Sequence, residues 1–358
     1  MKKVIMPALL AVFLVWLMFF SNREKPAQMQ TLAMGTLVDM TVLGLGGQTN
    51  YQVLQNAMLQ LRELETVWHP DRIKPEGQAL LAELNRRLQQ GETVTVPQPL
   101  QQGFADAASY TGTSNGLFDP AIGGLVKLWG FHSDEQFPSA PPADADIQQA
   151  LATPHFDDLL QNHALTGRAD MRVDFGAFAK GFVLKEVAAA IVAEYPQASL
   201  LLNGGGDLVA VGQRPSRPWR IAVRHPREQG RYLATIALKD GEAAFTSGDY
   251  ERFFDSVDAQ GQAQHFHHIL DPRSGWPAKG SQSLTVLHAD GGLADAASTA
   301  LFVAGDDWPA VAASMGITAV LRVTADGQIE WTAEMAERAE LTPNSDGVKP
   351  QAVVRALP

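Results

Sequence analysis

Asp295 and Thr299 lie four residues apart in Gly-Gly-Leu-Ala-Asp-Ala-Ala-Ser-Thr-Ala, residues 291–300, with Ser298 beside them. In a helix, which this alanine-rich stretch predicts, the two side chains project from one face. One carboxylate and one hydroxyl are a sparse cation site. Mg²⁺, however, commonly takes one or two protein carboxylates and lets substrate phosphate and water fill the rest of its shell. By spacing alone, the alternative is a polar face on an ordinary helix.

Four further segments are rich in glycine and oxygen donors. Asn203-Gly204-Gly205-Gly206-Asp207 follows the apolar run Leu200-Leu201-Leu202, so its glycines sit at the end of a strand, either against a pyrophosphate or in a tight hairpin turn. Asp174-Phe175-Gly176-Ala177-Phe178-Ala179-Lys180-Gly181 turns into a helix with Lys180 in its first turn, a point charge for phosphate or a solvated lysine. Phe118-Asp119-Pro120 offers a ring to stack and a carboxylate to bond, or simply an Asp-Pro turn. Thr246-Ser247-Gly248-Asp249-Tyr250 precedes a histidine-rich run in which His265 and His267 share one face of a strand while His268 points to the other. That split weakens a three-histidine zinc site and leaves His268 as a candidate general base near neutral pH, or a structural histidine.

The elements that must position these groups are mixed. Residues 34–43 have strand composition, and residues 52–67, with Leu54, Met58, Leu61 and Leu64 at helical spacing, predict an amphipathic helix. Further helices are expected at 79–88, 104–110, 177–195 and 291–304; the prolines within 137–145 predict a loop. Short strands are expected at 199–202, 208–211, 219–223, 232–238, 283–287, 319–323 and 329–332, the last two joined through Asp326-Gly327. Helices and strands without regular βαβ alternation give an α+β class. Residues 21–30 read as a linker, 31–340 as one domain and 341–358 as a flexible tail.

The chain has 358 residues, a formal net charge of −11 and no cysteine. The charge argues against a nucleic-acid partner, and the lack of thiols excludes disulfides, thiolate zinc sites and cysteine-ligated iron–sulfur clusters. No G-x-S-x-G elbow, Walker phosphate loop or H-E-x-x-H signature occurs. Lys2 and Lys3 precede an uncharged, mostly apolar run over residues 4–20, which predicts an uncleaved signal anchor or a signal peptide. The rest of the chain is then expected on the periplasmic side of a bacterial inner membrane or outside the cell.

Together, Met34-Gly35-Thr36, Phe118-Asp119-Pro120, Leu128-Trp129-Gly130-Phe131, residues 174–181, residues 203–207, Thr246–Tyr250 with Arg252-Phe253-Phe254, His268-Ile269-Leu270-Asp271-Pro272-Arg273-Ser274-Gly275 and the Asp295 stretch resemble, in order, the ApbE family of FAD:protein FMN transferases. The resemblance implies an ApbE-like fold of mixed helices and largely antiparallel sheet. It also implies Mg²⁺-dependent transfer of FMN from FAD to a Thr or Ser of an exported or membrane-associated redox protein, with AMP released. By resemblance Met34, Trp68, Phe118, Asp119, Asp174, Lys180 and Leu270 fall at flavin-nucleotide positions. Ala177, through its carbonyl, Asp295 and Thr299 fall at the cation site, with Ser298 where some relatives carry Asp, and His268 matches the residue that activates the acceptor hydroxyl. Two competing functions are a Mg²⁺-dependent FAD pyrophosphatase and a non-catalytic, membrane-tethered flavin-binding protein.

Overall fold

A computed structural model gives the structure of the chain and describes residues 26–71, 79–132, 138–212, 214, 217–257, 261–345 and 347–358. The apolar N-terminal run lies outside these residues. Among the described residues no helix is long and apolar enough to cross a membrane.

In chain order the first half contains β1 (Ala27–Ala33), β2 (Thr36–Leu43), α1 (Gly47–Trp68), α2 (Leu80–Gln89), β3 (Thr93–Thr95), α3 (Gln98–Thr113), α4 (Gly123–Leu128), α5 (Asp144–Leu151), α6 (Phe156–Leu159), β4 (Ala164–Thr166) and α7 (Ala179–Glu194). The second half contains β5 (Ser199–Gly204), β6 (Asp207–Val211), β7 (Arg220–Arg224), β8 (Tyr232–Ala237), β9 (Ala243–Gly248), β10 (Phe253–Val257), β11 (Ala263–His267) and β12 (Ser281–His288). It then runs through α8 (Gly291–Ala304), a short 3₁₀ turn, α9 (Trp308–Ser314), β13 (Ala319–Thr324), β14 (Ile329–Trp331), α10 (Ala333–Arg338), β15 (Ala339–Leu341) and β16 (Ala352–Val354).

A nine-stranded sheet, ordered β1-β2-β5-β6-β9-β12-β13-β14-β16, forms the spine, and every pairing in it is antiparallel except β14 with β16. Its strands alternate. Val38, Met40, Val42, Leu200, Leu202, Phe245, Leu284 and Val286 face the larger core under α1, α7 and α8. Their neighbours Leu43, Ala210, Ala244, Leu287 and Leu321 face a second core closed by the small sheet β15-β8-β7. A third cluster joins Leu125, Trp129, Phe131 and Ile147 to Phe254, Phe266 and Leu270, and so props the separate β10–β11 hairpin against α4 and α5.

Two expectations are corrected. Residues 27–30, read as linker, are strand β1, whose residue types alternate against β2 over seven paired positions. The segment after 341, read as a flexible tail, contributes β16, whose three residues pair with β14 from Ile329↔Ala352 to Trp331↔Val354. Gln, Pro and Lys around that stretch masked a strand only three residues long. The expected helices appear near the expected bounds, and the strand considered around His265 and His267 is β11, but β9 and β10 carry no strand expectation, because Gly, Ser and Asp dilute their β signal.

A candidate ion and hydroxyl site at a helix crossing

The site is built where α7 meets α8. A Cβ on Gly181 would lie 2.0 Å from the Gly291 carbonyl oxygen and 2.7 Å from Asp295 Cβ, so only glycine permits this approach. Every residue of α8 except Leu293 and Thr299 is buried, and a helix buried nearly all round must find partners for its polar groups. Asp295 finds one across the crossing, accepting the Gly181 amide at Oδ2, 2.9 Å. In an unbroken helix that amide would bond to the carbonyl of Ala177. Asp295 therefore takes the donor that Ala177 would otherwise occupy.

Lys180 forms an ion pair with Asp207 Oδ2. Burial disfavours its charge, but Asp207, Asp295 and Glu251 outweigh that and hold its pKa above the ordinary lysine value. Burial pushes the Asp295 carboxyl up to about 7; Lys180 opposes the rise and Asp207 adds to it. Asp207 Oδ1 accepts the Thr246 amide at 3.0 Å, so this carboxylate is fixed at both ends. It emerges from the β5–β6 turn, where Gly205 (φ 73°) and Gly206 (φ 114°) bridge the paired Gly204 and Asp207. That two-residue hairpin turn with positive φ accounts locally for the glycines.

A row of hydroxyls completes the site. Ser247 Oγ lies 2.8 Å from Ser298 Oγ and 3.0 Å from Thr299 Oγ1, while Ser298 donates to the Asp295 carbonyl at 2.8 Å. The observed donor set is one under-compensated buried carboxylate and two hydroxyls held in place by a third. Its chemistry fits a small hard dication such as Mg²⁺ whose shell a phosphate would complete. Among the described residues no three His, Cys, Asp or Glu side chains are grouped to hold a metal unaided.

The other expected residues are distributed around this centre. Asp174 donates its amide to the Pro120 carbonyl at 2.9 Å, joining the Phe118 and Asp174 segments, and its Oδ1 accepts from Gly176 at 2.8 Å. The Asp119 carboxylate is engaged by its own chain: Ala121 and Phe156 amides reach Oδ1 at 2.9 and 3.2 Å, and His155 Nδ1 lies 2.6 Å from Oδ2. Burial pushes its pKa up against these bonds. Phe118 is buried in the large core, and Trp68 is packed by Phe104, Phe175, Phe178 and Phe182. Leu270 is buried in the third cluster, and Met34 holds φ 56° at the β1–β2 turn.

His268 follows β11. Its amide donates to the Arg252 carbonyl at 3.0 Å, and Nδ1 is buried with no hydrogen-bond partner among the described residues. Burial, followed by the charges of Arg252, His267 and Lys180, lowers its pKa to about 3, so the ring is neutral. His265 and His267 are engaged elsewhere, His265 with Asp255 at 2.8 Å and His267 with the Ala278 carbonyl at 3.0 Å. Sequence reasoning did not assign roles to Asp207 and Ser247. Both lay inside the noted segments, but pairing Asp207 with Lys180 and Ser247 with Thr299 requires the sheet order.

A mostly antiparallel sheet against which a helix crossing gathers a half-buried lysine, two buried carboxylates and a hydroxyl row defines an α+β protein with an oxygen-donor site of the kind that handles phosphate. The ApbE family model matches residues 34–321, and the chain belongs to that family. It is similar to an FAD:protein FMN transferase from Rhodobacter capsulatus, 37% identical over 310 residues that cover 86% of this chain and 57% of the relative. It is also similar to one from Klebsiella pneumoniae, 32% identical over 219 residues that cover 59% of this chain and 64% of the relative. The chain thus spans less than two thirds of the length of either relative. The crystal structure of the ApbE protein from Thermotoga maritima superposes with a TM-score of 0.77 at 28% identity, covering 88% of this chain and 99% of that one. The fold class and the family read from the sequence agree with these findings.

Proposed function

We propose that the protein transfers FMN from FAD to a Thr or Ser hydroxyl of an acceptor redox protein, releasing AMP and requiring Mg²⁺. Family membership supports the reading, and one observation carries it: the Lys180–Asp207–Asp295 charge cluster, with both carboxylates buried, lies beside the Ser247, Ser298 and Thr299 hydroxyls, donors suited to a hard cation. Ala177, Asp295 and Thr299, with Ser298, would hold the ion. When bound, Mg²⁺ supplies charge neutralisation on the pyrophosphate oxygens.

The chain's own groups do the rest. Lys180, fixed by Asp207, presents a positive charge to the phosphates, and the segments carrying Met34, Trp68, Phe118, Asp119, Asp174 and Leu270 orient the nucleotide. The acceptor oxygen forms a new bond to the FMN phosphorus. The bond from that phosphorus to the bridging oxygen breaks, AMP leaves with the electron pair, and the hydroxyl proton passes to His268. In the free protein burial, and then nearby positive charge including Lys180, makes His268 a weak base. Phosphates that neutralise Lys180 would raise its basicity as the substrate arrives.

Lys2 and Lys3 followed by the apolar run 4–20 support an acceptor on the periplasmic side of the inner membrane. The test is to incubate the full chain with FAD, MgCl₂ and a candidate acceptor, then follow in-gel flavin fluorescence and acceptor mass. Fluorescent acceptor is expected. AMP without labelled acceptor would instead identify an FAD pyrophosphatase, and neither product would leave a flavin-binding protein.

A further inference from the structure

Two stretches converge before the start of α7: the end of α1, where Trp68 packs on Phe175 and Phe178, and residues 172–176, which lead into the turn carrying Ala177 and Lys180. Polar side chains outside every glycine-rich segment join them. Asn85, buried on α2, accepts the Val173 amide at 2.8 Å and donates to the Val173 carbonyl at 2.9 Å and the Pro70 carbonyl at 3.4 Å. Beside it, the Arg172 fork meets both carboxylate oxygens of Asp71. The Arg172 side chain is 4% exposed and that of Asp71 39%. Burial alone would raise the Asp71 pKa, but Arg172 holds it below the ordinary aspartate value, so the pair is ionised at neutral pH.

Stability does not account for this pair. A buried ion pair is often no better for stability than apolar side chains of the same volume, and Arg172 Nε is buried with no hydrogen-bond partner among the described residues. What the pair does fix is register. Arg172 bridges Ile122 through the main chain, and a Cβ on Gly123 would lie 2.5 Å from the Arg172 carbonyl oxygen, so the start of α4 is seated on the same residue. Two residues on, the Asp174 amide reaches the Pro120 carbonyl at 2.9 Å, and the Asp174 carboxylate takes the Gly176 amide at 2.8 Å. The end of α1, the start of α4 and the turn into α7 are thus tied at Arg172.

We infer that the Arg172–Asp71 pair is a positioning device for the site: it fixes residues 172–176 against the end of α1 and so preorganises the turn that presents Ala177 and Lys180 to the dinucleotide. The inference rests on the transferase reading for the identity of that ligand. A preformed turn lowers the ordering cost of binding, and a bound dinucleotide with its cation restores the turn where the pair is missing. The loss on breaking the pair therefore falls on KM for FAD and spares kcat.

The test compares the full chain with a double variant, Asp71→Asn with Arg172→Met, which removes both charges at similar volume. The double variant is expected to melt within a few degrees of wild type. With MgCl₂ present, its KM for FAD is expected to rise by about tenfold while kcat stays within about twofold. Deuterium uptake of the peptide spanning 175–183, measured without ligand, is expected to be faster, with that of the β12 peptide unchanged. Asp71→Glu, which keeps the charge and the fork, should hold KM within about threefold of wild type. Unchanged KM or unchanged uptake in the double variant would overturn the inference, as would losses in KM and kcat that both follow a lowered melting temperature. Should the double variant not fold, Asp71→Asn alone, at a partly exposed side chain, carries the same measurements, and a KM equal to wild type would overturn the inference. If wild type itself neither binds nor splits FAD while uptake is faster in the variant, the transferase reading falls and the held turn stands.

Discussion

The α7–α8 crossing and the β10–β11 hairpin are built from opposite materials. At the crossing, two glycines bring backbones into contact, the helix carrying Asp295 is buried almost all round, and each charged group is held by a partner from a different element. The hairpin stands outside the main sheet, rests on one aromatic cluster and exposes Phe253 and Val257. A dense frame keeps polar groups in one geometry, which an invariant dinucleotide and its cation can exploit without reorganisation. A single propped hairpin is held by far fewer partners and leaves large apolar side chains at the surface. His268 follows the hairpin, and the charge of Lys180 from the crossing contributes to the lowering of its pKa.

The comparison breaks if the crossing is not the chemical half. Asp295→Asn is expected to reduce transfer by about 10³-fold while raising stability by about 1 kcal/mol near pH 8, because it removes a buried charge that Lys180 only partly compensates. Transfer assays at saturating FAD and thermal melts read the two effects. Unchanged transfer would take Asp295 out of the metal site. At the junction, His268→Ala is expected to slow transfer by about 10²-fold with the FAD dissociation constant within about twofold of wild type. Equal losses in both would make His268 a binding residue of the crossing.

How far the sequence reveals these two regions follows from how each is encoded. At the crossing, spacing alone leaves Asp295 and Thr299 open to a polar helix face and Lys180 to a solvated lysine; it is the order of several uncommon segments along the chain that singles them out. Its long-range pairings were not legible. Asp207 reaches Lys180, and Ser247 reaches Thr299, only because β6, β9 and β12 are neighbours in the sheet. The hairpin was harder, since Phe253 to Val257 and Ala263 to His267 mix aromatic, acidic and histidine residues in five-residue runs. At Asp119 the motif shows less than the fold does: its carboxylate is held by Ala121, Phe156 and His155, of which only Ala121 lies in the same segment.

A finer test of the crossing concerns Ser247, which touches both Ser298 and Thr299. Its hydroxyl fixes the direction of the Thr299 lone pairs, so Ser247→Ala is expected to weaken cation binding in the presence of FAD by about tenfold. Mn²⁺ titration followed by electron paramagnetic resonance reads this without turnover. Ser247→Thr, which keeps the hydroxyl, should recover most of the loss; affinity equal to wild type in Ser247→Ala would show that α8 orients its own ligands.

The smallest expected effect separates the regions by pH. The folded-state pKa of His268 is depressed to about 3 against an ordinary value of 6.5, so between those limits the unfolded chain binds more protons than the native one. The stability carried by the neutral ring is complete above about pH 6.5 and is lost as pH falls through that window. Burial lowers His267 as well, giving a slope of the same sign, whereas the raised pKa values of Asp295, about 7, and of Asp119 give slopes of the opposite sign, that of Asp295 within the same window. The total slope therefore belongs to no single group, but the difference between wild type and His268→Gln isolates one. Between pH 7 and pH 5 the wild-type melting temperature should fall by a few degrees more than that of His268→Gln. Parallel curves would mean that His268 reaches water freely, and the junction between the two regions would then be open in the free protein.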